Sequence, residues 1–126
     1  MNIAILHYSV PPIVGGVESV IGHHARLMSA SGHSVRLIAA RGAAMSAEIP
    51  LMQIPLADSR HERISLMKQE LDKGIIPISF DSLCNELADE IKKALTGVDV
   101  LIAHNVCSLN KNLVLTAALH KLHQAN

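Results

Sequence analysis

The stretch NIAILHYSVPPIVGGVESVIGHHARL, residues 2–27, decides the fold class of this chain. It opens with a continuous apolar run at residues 3–6, which is typical of a strand buried on both faces of a parallel sheet. Two prolines and two adjacent glycines follow, and they shape a loop because proline fixes φ and glycine permits close backbone approach. From Val17 the apolar residues recur at helical spacing. The stretch therefore predicts a strand, a shaped loop and an amphipathic helix.

The rest of the chain continues this alternation. Gly32 ends the first helix, a strand covers residues 35–39, and a weak strand follows in LMQIPL at residues 51–56. Ser59 and Glu62 have the spacing of a capping box, which predicts a second helix, and Asp81 is placed to cap a third. VDVLIAH at residues 98–104 predicts a fourth strand, and residues 108–122 a fourth helix. The order β-α-β-β-α-α-β-α predicts an α/β fold with a Rossmann-like parallel sheet, strand order 3-2-1-4 and helices on both faces.

Length and composition restrict the function classes. A chain of 126 residues holds one domain, and 49% hydrophobic with 17% charged residues excludes a disordered chain. Eleven basic and eleven acidic residues cancel, so no strong attraction to nucleic acid or anionic lipid is implied. No apolar run is long enough to span a membrane, and the first residues lack the pattern of a signal peptide. We therefore expect a cytoplasmic protein, with or without peripheral contact to a membrane.

The predicted topology brings two loops together at one candidate site. Ligands of open α/β sheets bind beyond the carboxyl ends of the strands, where the strand order reverses, and here that point lies between the first and fourth strands. Gly15 and Gly16 follow the first strand, while His104 and Asn105 follow the fourth. The glycines lead into a helix N-terminus, which suits a phosphate group. The dinucleotide pattern GxGxxG is absent and no acidic residue ends the second strand, which disfavours hydride transfer on a nicotinamide.

Two segments carry a resemblance to a known family. PPIVGGVESVIGHHARLMSASGHSVRLIAARG, residues 11–42, resembles the opening of the group 1 (family four) glycosyltransferases. That opening has two prolines, a short loop, Gly-Gly-Val-Glu, an amphipathic helix, and Gly-His-x-Val leading into a strand. VDVLIAHN, residues 98–105, is similar to the fourth strand of the same family with its terminal histidine.

The resemblance implies an activity and roles for individual residues. It implies the GT-B fold, two Rossmann-like domains facing a cleft, and transfer of a sugar from a nucleotide-sugar to a sugar or lipid-linked acceptor with retention, without a catalytic metal or cofactor. Gly15, Gly16 and Asn105 would then bind the diphosphate and sugar of the donor, and His104 would be the catalytic residue. Tyr8, where the first strand meets the glycine loop, is a candidate for the acceptor pocket.

The resemblance also predicts that the chain is one half of such an enzyme. Nothing in residues 1–126 matches the second, donor-binding domain, and the fourth strand would form an unpaired apolar edge, which proteins usually avoid. We expect an incomplete N-terminal, acceptor-side domain that is inactive alone and associates with itself through this edge. Two alternatives stay open: a stand-alone Rossmann-like module that binds a phosphate ligand without catalysis, and another enzyme with a GT-B-like half, such as an epimerase.

Simpler roles compete for the same residues. Gly15 and Gly16 could form only a tight turn, and His104 could be a hydrogen-bonded residue at the end of a strand. His24 lies on the apolar stripe of the first helix, so we expect it to pack in the core. Glu18 lies in the first helical turn, where its charge suits the helix dipole.

Overall fold

The computed structural model describes residues 1–125 as one parallel sheet with helices on both of its faces. The strands are β1 (Asn2–Leu6), β2 (Ser34–Ala39), β3 (Leu51–Gln53) and β4 (Val100–Ala103). The helices are α1 (Gly16–Ala30), α2 (Glu62–Asp72), α3 (Ser79–Ala94) and α4 (Leu113–Ala125), and a short 3-10 helix, Pro55–Ala57, precedes α2. Within residues 1–125, no helix has both the length and the apolar character needed to cross a lipid bilayer.

The sheet has the order β3-β2-β1-β4, and every pair of neighbours is parallel. This confirms the predicted fold class, an α/β Rossmann-like sheet with strand order 3-2-1-4. Leu6, the last residue of β1, is in register with Ile38 of β2 and Ala103 of β4. Because these three strands run in the same direction and end together, the loops that follow them meet at one edge of the sheet.

The apolar run of β1 is buried on both faces, as its sequence predicts. Successive side chains of a strand point to opposite faces. Ala4 and Leu6 therefore join one core cluster, which holds residues of α2, α3 and α4. Ile3 and Ile5 join a second cluster on the other face, which holds residues of α1. Ala4, Ile5 and Leu6 are fully inaccessible to solvent, so β1 is the centre of the hydrophobic core.

The starts of α2 and α3 differ from the predicted ones. His61, not Ser59, is the N-cap of α2, and its Nδ1 accepts a hydrogen bond from the backbone N–H of Arg63 at 3.2 Å. The predicted capping box is therefore wrong. Asp81 lies inside the first turn of α3, because a backbone hydrogen bond from Phe80 to the carbonyl of Pro77 (3.0 Å) already closes a turn before it. The predicted cap at Asp81 is wrong for that reason.

The start of α4 also differs from the sequence prediction. The helix begins at Leu113 and not at Ser108. The backbone N–H and the hydroxyl of Ser108 both donate to the carbonyl of Asn105, so this segment forms a turn. Asn112 then caps the helix, since its Oδ1 accepts the backbone N–H of Leu115 at 3.0 Å. Its amide group donates to the carbonyl of Leu56, which ties α4 to the 3-10 helix that precedes α2.

His24 is exposed, so the prediction that it packs in the core is wrong. The buried face of α1 consists of Ile21, Gly22 and Ala25. A Cβ at position 22 would lie 3.3 Å from Cγ of Pro11, which shows how closely the helix approaches the loop after β1. Ile21 is the fully buried residue of the predicted stripe, and Gly22 and Ala25 complete the buried face. The stripe residues Val20 and Leu27 are 42% and 65% exposed, like His24 on the outer side of the helix.

Candidate functional site

The candidate site lies at the edge of the sheet where β1, β2 and β4 end. His104 directly follows β4, and its backbone N–H donates to the carbonyl of Leu6 at 2.9 Å. On the other side of β1, the backbone of Val10 donates to the carbonyl of Arg41 (2.9 Å), and that of Ala40 donates to the carbonyl of Tyr8 (3.0 Å). These bonds extend the sheet beyond its strands, so the loops that carry the candidate residues have fixed relative positions.

His104 is half-buried and is held through its backbone. The Nδ1–H of His7 donates to the carbonyl of His104 at 2.9 Å, and the tautomer follows because a carbonyl oxygen only accepts. The ring of His104 lies near that of His24, with 6.1 Å between the centroids. Burial, followed by the charges of His24 and His7, lowers the pKa of His104 below its ordinary value. His104 is therefore a neutral imidazole at physiological pH, able to donate or accept a hydrogen bond.

Asn105 has a left-handed backbone conformation, with φ of 60°. Asparagine is enriched among the non-glycine residues that adopt this conformation. Its side chain is exposed, beside His104 at the start of the turn that leads towards α4. The structure thus places Asn105 at the edge of the sheet where the sequence predicts it, with its amide facing solvent.

The two glycines at the start of α1 differ in what surrounds them. A Cβ added to Gly15 would collide with Oε2 of Glu18 and lie 3.0 Å from its Cδ, so a side chain at this position would require the Glu18 side chain to move. Gly16 has no such neighbour within 4 Å and is exposed. Gly15, the N-cap, receives no side-chain hydrogen bond. The first N–H groups of a helix have no partner within the helix. The carboxylate of Glu18 already accepts its own backbone N–H, so an anion at this terminus would use the N–H groups that Glu18 leaves unbonded.

Glu18 connects the glycine loop to the end of β1. Its Oε1 accepts a hydrogen bond of 2.6 Å from the hydroxyl of Ser9 and lies 3.8 Å from Nε2 of His7. Burial acts to raise the pKa of Glu18, but the hydrogen bond from Ser9, a backbone hydrogen bond and the charges of His7 and Arg41 outweigh it, and the net pKa is lowered. The carboxylate is therefore ionised at neutral pH.

The contacts of Glu18 and His7 form a continuous chain from the glycine loop to His104. Glu18 adjoins Gly15, His7 adjoins Glu18, and His7 is bonded to the backbone of His104. His7 and Ser9 are not among the site residues predicted from the sequence. The available signal was the position of His7, a polar residue that directly follows a fully apolar strand at the point where the strand order reverses.

Tyr8, the candidate acceptor residue, is almost fully buried at 4% exposure. Its ring centroid lies 5.0 Å from that of His7. Among residues 1–125 its hydroxyl has no hydrogen-bond partner, and burial, then the charge of Cys107, raises its pKa. Tyr8 lines a cavity of about 290 Å³, together with Ser9 and Glu18. Its contact with an acceptor remains a prediction.

The wall of this cavity also carries three cationic residues that the sequence analysis did not identify, Arg41, Arg60 and Lys111. Nε of Arg41 lies 3.2 Å from Oδ2 of Asp58, in an ion pair whose angle is not that of a hydrogen bond. Over the described residues 1–125, no three His, Cys, Asp or Glu side chains are placed to hold a metal ion.

Comparison of the chain with protein-family models, with curated proteins and with solved structures gave no match. The glycosyltransferase resemblance therefore rests on the segments 11–42 and 98–105 alone, and the roles it implies for individual residues remain predictions.

Proposed function

We propose that this chain is the N-terminal, acceptor-side portion of a retaining glycosyltransferase, which moves a sugar from a nucleotide-sugar to an acceptor together with a donor-binding domain. One observation carries the proposal. The loop that precedes α1 and the residues that follow β4 end at the same edge of the sheet, and they are joined through Glu18 and His7. The family resemblance assigns the donor diphosphate to the first loop and the transferred sugar to the second.

The chemistry required of the two loops differs. When the bond between the anomeric carbon and the diphosphate breaks, its electron pair leaves with the diphosphate. Preorganised N–H donors stabilise that charge, and the N-terminus of α1 at Gly15 and Gly16 supplies such donors. The sugar becomes electron-poor at the anomeric carbon and must be held in one orientation. A neutral imidazole at His104 can position a sugar hydroxyl without adding positive charge beside that carbon.

The rival hypothesis is a module that binds a phosphate ligand and catalyses nothing. The N-terminus of α1, which begins at Gly16, favours it, since a helix N-terminus suits any phosphate. The two hypotheses differ in the role of the sugar. A donor site contacts both the diphosphate and the sugar, whereas a phosphate-binding module contacts the diphosphate alone.

A titration can separate the two functions. The ¹⁵N-labelled chain is titrated with a panel of nucleoside diphosphate sugars and with the matching nucleoside diphosphates, and amide shifts are followed by NMR. We expect shifts at Gly15 and Gly16 with both ligand classes, and an additional sugar-dependent shift at His104. His104→Ala should weaken binding of one nucleotide-sugar about fivefold or more and leave the nucleoside diphosphate unchanged. His23→Ala, an exposed histidine on α1, is the control. Equal affinities for both classes, with no sugar-dependent shift at His104, would overturn the proposal in favour of the binding module.

A further inference from the structure

The cavity of about 290 Å³ beside the proposed donor site has its own group of cationic residues. Arg41 follows β2, Arg60 precedes α2 and Lys111 precedes α4, so three distant segments supply them. Neither the two glycines nor His104 lines this cavity. The cationic group is thus separate from the residues assigned to the donor, although both lie at the same edge of the sheet.

Two of the three cations have no compensating charge. Asp58 pairs with Arg41 through Oδ2, and its Oδ1 accepts the backbone N–H of Arg60 at 2.9 Å. The guanidinium of Arg60 and the ammonium of Lys111 contact no carboxylate and make no hydrogen bond within the described part of the chain. Four other basic residues each contact a carboxylate: Arg63, Lys68, Lys73 and Lys121. The cavity therefore presents unneutralised positive charge.

The two unpaired cations lie close to helix ends. Arg60 lies two residues before α2, and Lys111 lies two residues before α4. Both ends have side-chain caps within the chain, His61 and Asn112. The side chains of Arg60 and Lys111 themselves therefore favour an anion at this side of the cavity.

Other lining residues have a different chemistry. Glu18, Ser9 and His7 also line the cavity, and the hydrogen bond from Ser9 to Glu18 holds the carboxylate in place. A carboxylate and an imidazole beside it can bind the hydroxyl groups of a sugar, since both can accept hydrogen bonds. The cavity thus combines an anion-binding side with a hydroxyl-binding side.

From this arrangement we infer that the cavity binds the acceptor, and that the acceptor is a sugar or polyol bearing a phosphate monoester. Arg60, Lys111 and Arg41 bind the phosphate, and the wall at Glu18 binds the hydroxyl groups. That this ligand is the acceptor of a sugar transfer rests on the proposed function, but binding of a phosphorylated sugar in the cavity does not. A volume of about 290 Å³ suits one phosphorylated sugar ring rather than a whole nucleotide-sugar, since pockets for drug-sized ligands span roughly 300–1,000 Å³.

The test uses the 126-residue chain and three probes: a hexose 6-phosphate, the neutral hexose and the corresponding hexuronate. Binding is measured by NMR titration in 150 mM salt, which screens long-range charge effects. The variant Arg60→Gln with Lys111→Gln removes the unpaired cations. The control, Lys92→Gln with Lys93→Gln, removes the same charge from the last turn of α3, away from the cavity.

We expect saturable binding of the hexose phosphate, weakened at least tenfold by the cavity variant and less than twofold by the control. Equal losses in both variants would show unspecific charge attraction and overturn the inference. Tighter binding of the hexuronate or of the neutral hexose would overturn the phosphate assignment. The proposed function is judged separately by the nucleotide-sugar shifts at Gly15, Gly16 and His104. If the nucleotide-sugar shifts are absent while the hexose phosphate binds, the proposed donor site is wrong and the cavity assignment stands. If the nucleotide-sugar shifts are present while the hexose phosphate does not bind, only the cavity assignment is wrong.

Discussion

Gly42, in the loop after β2, lies against Val10 in the loop after β1, and its substitution tests the geometry of these two loops directly. Its φ is +128°, and an added Cβ would lie 2.5 Å from Cγ2 of Val10 and 2.6 Å from the carbonyl oxygen of Val10. Gly42→Ala therefore adds backbone strain of about 1–3 kcal/mol and steric crowding of about 1–3 kcal/mol. The oxygen belongs to the backbone, so a rotamer change cannot relieve the contact. We expect a loss of about 3 kcal/mol in the free energy of unfolding, in the lower half of the summed range of about 2–6 kcal/mol.

The assay is thermal unfolding followed by circular dichroism. The entropy of unfolding is about 2.1 cal/mol/K per residue, so for 126 residues each kcal/mol corresponds to about 4 °C, and Gly42→Ala should lower Tm by roughly 11 °C. Gly16→Ala is the matched control, because Gly16 has open space around it and an ordinary φ; its Tm should change by about 2 °C or less. If the two variants melt within about 2 °C of each other, the close approach of Gly42 to Val10 is wrong.

Folding lowers the pKa of Glu18, so the unfolded state binds the proton more readily than the folded state. The stability that this carboxylate contributes is therefore fully present above the pKa of the unfolded state. It is lost as the pH falls through the pKa of the folded state. Glu18→Gln should therefore cost about 1 kcal/mol at pH 7 in urea titrations, and the cost should fall as the pH is lowered below the range of an ordinary glutamate. A pH-independent cost would contradict the hydrogen bond from Ser9 to an ionised Glu18. The exposed edge of β4 predicts dimers or larger species in light scattering, and Ala103→Lys should reduce them while Ala30→Lys, on exposed α1 surface, does not; a monomeric parent chain would refute this association. When the chain is joined to a donor-binding domain, His104→Ala should lower the turnover rate about 100-fold at an unchanged Tm in steady-state kinetics, and near-parental turnover would show that His104 has no catalytic role.

The topology could be predicted because each strand and helix carries its own local pattern. The apolar run at residues 3–6 has no polar face. A central strand of a parallel sheet, which helices cover on both faces, is the place where such a run is fully buried. Once β1 is central, the short loops and right-handed crossovers leave little choice of strand order. The convergence of Gly15 and His104 at one edge follows from that order without any further information.

The contacts inside the site could not be predicted in the same way. The hydrogen bond of Ser9 to Glu18, the contact of Glu18 with His7, and the cation group at Arg60 and Lys111 depend on side-chain directions in loops. Sequence spacing does not determine these directions. The prediction for His24 was wrong for a related reason. Because Gly22 has no side chain, the loop after β1 packs closely against α1, and hydrophobicity alone gives no sign of that approach.

The most direct test of the proposed donor site is an intermolecular NOE measurement on the chain with a bound nucleotide-sugar. The proposal places the diphosphate at the N-terminus of α1 and the sugar at His104. It therefore predicts NOEs between the anomeric proton of the sugar and the imidazole protons of His104, and their loss in His104→Ala. A saturably bound nucleotide-sugar whose anomeric proton shows NOEs only to residues of another surface, such as the apolar hollow beside β4 at Leu119 and Leu122, would contradict the account.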